Sequence, residues 1–233
     1  MNTLADAPGW HGKLPSLGDF ASRRLDASFI EPWDGWLAEG MLALRQSHAD
    51  DWLQAYLGSP SWRFLLMPGV MPGAAGAQAW AGVLMPSVDR VGRYFPLTVV
   101  QGLGEGPACT QQMQGLWHWL GRLDELARDA LFEDWTADQL EQELARMAGH
   151  GVQPLAPAAA AAPSDALQEV PAAQGLDAAT HIGLEAQRLW SVQARGRAWW
   201  HAHPDDAPAR LLLSRGLPPA QAMTRLLGPA ATI

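Results

Sequence analysis

The sequence predicts a single α/β domain. Two long stripes of apolar side chains, within 27–45 and 110–131, recur at three- and four-residue steps and mark amphipathic helices. Three short apolar runs, Trp62–Met67, Trp80–Met85 and Phe95–Val100, have the length and flanking turn residues of buried strands. A chain of 233 residues with 48% apolar content also has the material for a substantial core.

The elements follow in order. The N-terminus, MNTLADAPGW, has no basic segment followed by an apolar run, so no secretory signal is expected and the chain is expected in the cytoplasm. Phe29, Ile30, Trp33, Trp36, Leu37, Met41 and Leu44 form the first helical stripe. A shorter helix carries Trp52, Leu53, Tyr56 and Leu57 and ends at Gly58-Ser59-Pro60. Phe64 to Val88 is uncharged and long enough to span a bilayer, yet Pro68, Pro72 and Pro86 would break a helix there; strand, turn-rich loop, strand is expected. Met113, Leu116, Trp117, Leu120, Leu123, Ala127 and Leu131 mark the longest helix, and Thr136 is a candidate N-cap for another over Ala137–Ala148.

An Ala/Pro-rich excursion without periodicity then reads as a linker or mobile loop over 151–176. It separates a core of residues 1–150 from 177–233. The latter holds a helix (Thr180–Gln193), strands near Arg197–His201 and Arg210–Ser214, and a short helix (Pro218–Leu227). That segment is too small for a core of its own, so it is expected to complete the same domain.

The net charge of −8 argues against nucleic acid and anionic lipid as partners, because both attract Lys and Arg. Cys109 is the single cysteine, which excludes an intrachain disulfide and any multi-cysteine metal site. An acidic block runs from Asp124 to Glu143, opposed within it only by Arg128; it reads as a solvated helix face, or as a docking face for a basic partner. Twelve Trp against five Phe and two Tyr mark core anchors, interface anchors, or both.

Two constellations suggest enzymes. His201, His203 and Asp205, with Asp206, resemble the metal loop of metallo-β-lactamase-like hydrolases, but Asp206 stands where that family continues with His, and no His follows 203. A polar turn between two strands is the plainer reading. Gly102-Leu103-Gly104-Glu105-Gly106 lies between strand and helix but lacks the spacing of a dinucleotide loop. No GxSxG elbow or GxxxxGK[ST] loop is present. No catalytic residue, metal ligand or cofactor is therefore assigned.

Two loops are richer in special residues than connectors need to be. One runs from Gly12 to Arg24 and contains Lys13, Asp19, Phe20 and Arg23; the other runs from Met85 to Pro96 and contains Ser87, Asp89, Arg90, Arg93 and Tyr94. Gly and Pro fix the backbone, and Asp and Arg can bridge the loops by charge-assisted hydrogen bonds. These residues either brace the fold or form a surface for a partner protein. Exposed Trp residues beside them are expected to supply interface anchors.

WHGKLPSLGDFASRRL (Trp10–Leu25), WDGWL (Trp33–Leu37), SPSWRFLL (Ser59–Leu66) and AWAGVLMPSVDRVGRYFPLTV (Ala79–Val99) together resemble the N-terminal half of the TagF/ImpM family; RAWW (Arg197–Trp200) and LLLSRGLP (Leu211–Pro218) resemble its later strands. The resemblance implies a three-layer α/β/α sandwich around a mixed sheet. It also implies a bacterial role in type VI secretion, as a non-enzymatic post-translational repressor of assembly. The implied partner is a forkhead-associated-domain scaffold protein, in a pathway with a Ser/Thr kinase and a Ser/Thr phosphatase. No phosphatase segment is present in this chain, and Ser16, Ser22 and Ser87 lie in the candidate loops. The alternatives are a structural subunit of the apparatus and a metal-dependent hydrolase.

Overall fold

The apolar runs pair into one open seven-stranded sheet in this computed structural model, which describes residues 7–148, 190, 192–203 and 208–228. The strands are β1 (Gly9–Gly12), β2 (Ala21–Arg23), β3 (Trp62–Leu66), β4 (Ala79–Met85), β5 (Leu97–Gly104), β6 (Arg197–Ala202) and β7 (Arg210–Arg215). The helices are α1 (Ala27–Ser47), α2 (Trp52–Leu57), α3 (Thr110–Phe132), α4 (Ala137–Met147) and α5 (Ala220–Leu227), and a 3-10 turn spans Gly73–Ala77.

In space the order is β2-β1-β5-β4-β3-β6-β7, and each neighbouring pair is antiparallel. This corrects the expected mixed sheet. Parallel neighbours need a crossover connection, whereas β1–β2, β3–β4, β4–β5 and β6–β7 are consecutive strands that return directly beside one another. The two helical connections, α1–α2 and the segment beginning with α3–α4, lead to strands that are not neighbours in the sheet.

Side chains alternate across the central strands and sort into two apolar clusters. Trp62, Phe64 and Leu66 of β3, Trp80 and Leu84 of β4, and Trp200 of β6 pack with α1, Tyr56 of α2 and α5. Leu65, Ala81, Val83, Leu97 and Val99 pack with α3 and α4. β4 is buried along its whole length, as a strand covered on both faces must be. Strand, loop, strand over Phe64–Val88 is what forms, and no described helix is long and apolar enough to cross a membrane.

Most of the tryptophans serve the interior. Trp33 donates to Thr98 Oγ1 (2.9 Å), Trp36 to the Pro218 carbonyl (2.7 Å), Trp62 to Leu226 (2.8 Å) and Trp80 to Ala75 (2.8 Å). Each of these four indole N–H groups thus has an acceptor, which removes the cost of burying it, whereas the buried Trp119 Nε1 has no hydrogen-bond partner among the described residues. The acidic block is also less solvated than expected. Asp124 is buried and pairs with Arg63 (3.0 Å), and Glu141 accepts from Trp10 Nε1 (2.5 Å) and Arg24.

The Ala/Pro-rich stretch expected over 151–176 lies outside the described residues, as does the helix expected at Thr180–Gln193 apart from its end.

Candidate functional site

The two loops singled out in the sequence meet at a buried ion pair. Gly12 adopts φ +135°, and an added Cβ would collide with the Pro96 carbonyl; only glycine lets β1 lie so close to the start of β5. The chain then carries Lys13 inward, where its Nζ donates to Asp89 Oδ2 at 2.6 Å with both side chains almost fully buried.

Asp89 sits in the β4–β5 connection, whose ends are held by a bridge between Val88 and Tyr94 and whose turn uses Gly92 at φ +83°. Its Oδ1 accepts the amides of Val91 (3.1 Å) and Arg93 (2.9 Å), and its Oδ2 accepts Arg93 Nε (2.7 Å) as well as Lys13. Burial by itself would raise the pKa of this carboxyl. The hydrogen bonds from Lys13, from the amide and side chain of Arg93 and from the Val91 amide outweigh it and hold the pKa well below the carboxylate range. Asp89 is therefore an ionised and fully satisfied hub, the condition under which a buried charge is tolerable.

Further bonds fasten the loops. Ser87 Oγ donates to the Lys13 carbonyl (2.7 Å), while the Tyr56 hydroxyl donates to the Ser87 carbonyl (2.9 Å) and accepts the Ser87 amide (2.7 Å). Burial pushes the Tyr56 phenol well above its ordinary pKa, so it stays protonated. The Arg90 amide donates to the Leu17 carbonyl (2.8 Å), and Arg93 reaches the Gly18 carbonyl and Asp19 (3.5 Å). Phe20 lies under the Lys13 ammonium, 4.1 Å from ring centroid to Nζ, and edge-on to Phe95 at 4.9 Å, yet is 46% exposed. Tyr94 packs edge-on to Trp52 and Tyr56.

Lys13, Asp19, Phe20, Ser87, Asp89, Arg93 and Tyr94 thus share one constellation. Arg90 joins it through its backbone, and its exposed guanidinium has no hydrogen-bond or ion-pair partner among the described residues. Arg23 stands apart on β2, its Nη1 donating to the carbonyl of Ser22 (2.8 Å) and reaching neither carboxylate. The exposed aromatic at these loops is Phe20, not a Trp; among the described residues the exposed Trp is Trp190, which donates to Pro107 (3.3 Å). Tyr56 was missed because nothing in an amphipathic turn 31 residues before Ser87 signals where its hydroxyl will point.

The enzyme constellation looks different in space. His201 is half-buried against Trp117, and burial, then the charges of Arg63 and His203, lower its pKa. Asp205 and Asp206 lie outside the described residues. Among those described, no three His, Cys, Asp or Glu side chains form a group able to hold a metal ion. Gly102 to Gly106 closes β5 and leads into α3, with Gly104 and Gly106 at positive φ, as a plain turn does.

Residues 9–147 match the family described as TagF N-terminal domain, type VI secretion system-associated. The crystal structure of PA0076 from Pseudomonas aeruginosa PAO1 superposes with a TM-score of 0.71 at 34% sequence identity, covering 97% of this chain and 96% of that one. None of the curated proteins compared matches the chain. Similarity over most of its length, across a span that includes both braced loops, places this chain in the TagF family of type VI secretion system-associated proteins.

Proposed function

We propose that this chain is a non-enzymatic, cytoplasmic, post-translational repressor of type VI secretion system assembly that acts by binding a forkhead-associated-domain scaffold protein. The kinase and phosphatase of that pathway are further candidate partners. The packing of helices against both faces of the sheet is read here as the three-layer sandwich of such a protein. The observation that carries the reading is the match over residues 9–147, whose two characteristic loops are locked by the Lys13–Asp89 pair into one surface. A repressor without chemistry works by mass action: it holds its partner in a state that cannot assemble, and only differential affinity shifts that balance. A surface already rigid before binding loses less entropy on association.

Arg90 and Val91 project from this surface while the brace itself lies beneath. Arg93 is a poor probe of binding, because reversing its charge also strips one hydrogen bond from the Asp89 hub and another from the Gly18 carbonyl. Arg90→Glu leaves the hub intact. In pull-downs from the native cytoplasm, the wild type is expected to recover the scaffold and Arg90→Glu to lose it with an unchanged melting temperature. Recovery by both would move the site elsewhere; recovery by neither would end the repressor reading.

A further inference from the structure

We infer that the β6–β7 edge of the sheet is a docking site for an extended, acidic and apolar peptide segment of another protein, which adds to β7 as an eighth strand. β7 is the terminal strand at the edge opposite β2, so one row of its backbone donors and acceptors has no neighbouring strand among the described residues. Leu211 and Leu213 on this strand are 58% and 59% exposed, and their cross-strand partners are His201 and Trp199. Directly opposed residues point to the same face, so the two leucines extend an apolar strip that continues through Trp199 to Trp190, 6.2 Å away between ring centroids.

Charge tells what fits. Arg197 and Arg215 are directly opposed on the same face, and with Arg195 they line a cavity of about 230 Å³. None of the three has a carboxylate partner among the described residues, and like charges directly opposite one another destabilise a sheet. The described residues from Trp190 onward include Arg195, Arg197, Arg210, Arg215 and Arg225 and no Asp or Glu, in a chain whose net charge is −8. An edge strand is protected when its charges interrupt the apolar stretch; here the arginines sit at the ends and leave the apolar centre open. A second copy is a poor occupant, because its own β7 edge carries the same arginines and no described Asp or Glu, so two like-charged edges would meet without a carboxylate between them. A peptide with apolar residues two apart, then carboxylates further along the same face, meets Leu211, Leu213 and the arginines in turn.

The test selects peptides from a random phage-displayed library on the full chain and measures the synthesised winners against variants. Selected sequences are expected to combine alternating apolar residues with Asp or Glu. Arg197→Glu/Arg215→Glu and, separately, Leu213→Ser should each weaken binding by about tenfold or more, whereas Arg90→Glu should leave it unchanged, which separates this edge from the braced loops. Winners without carboxylates, or equal affinity for wild type and both edge variants, would overturn the proposal. So would a wild-type dimer in sedimentation that Leu213→Ser disperses, since the occupant would then be a second copy.

Discussion

His201 shows how a residue that looks like a ligand in the sequence becomes a packing element in space. Its ring lies against Trp117, its Nδ1 is buried without a hydrogen-bond partner, and it stands opposite Arg63 on β3. Asp124 on α3 favours its charged form, but burial, Arg63 and His203 prevail and lower its pKa. The unfolded chain takes up the proton near pH 6.5, the folded chain only at lower pH, so stability present above about pH 6.5 is lost as the pH falls. The melting temperature is therefore expected to decline from pH 7 to pH 5, and to decline less in His201→Gln; equal slopes would refute this assignment. Lys13 and Asp89 were legible as charged residues in loops rich in Gly and Pro. That they face each other, 76 residues apart, was not, because spacing along the chain carries no information about which loops meet. Arg23 shows the converse: a plausible charge in the right loop that β2 directs elsewhere.

Elements with a long repeat were readable, and the two shortest strands were not. The stripes of α1 and α3 fixed both helices to within two residues, and Thr136 caps α4 in a full capping box with Gln139. β1 and β2 have four and three residues, too few for alternation to register; β1 ends where the stretch read as a loop begins, and β2 lies within that stretch. They matter because β1 delivers Lys13 and β2 follows Phe20. The brace they support should behave as one unit. Lys13→Met takes one charged partner from the Asp89 carboxylate and Asp89→Asn leaves the buried ammonium without its carboxylate, so the double variant should lose less stability than the two single losses added, as measured by denaturant unfolding. Additive losses would mean that the two groups act independently.

The whole molecule is organised by one sheet that serves two cores. Because β3, β4 and β5 send alternate side chains to opposite faces, neither cluster can lose its packing without disturbing the strands that carry the other. Tryptophan fluorescence and far-ultraviolet ellipticity should therefore report a single coincident unfolding transition; separate midpoints would show that the faces come apart independently. By itself the sequence determined the α/β class, the principal helices and inner strands, and the two loops that matter, because periodicity and turn chemistry are local properties of the chain. Only the tertiary structure decided that every strand pair is antiparallel, that Asp124 and Glu141 turn inward, that Tyr56 clips Ser87, and that a basic edge is left open at β7. These depend on which distant segments become neighbours, and that is settled by burying both faces of the sheet at once.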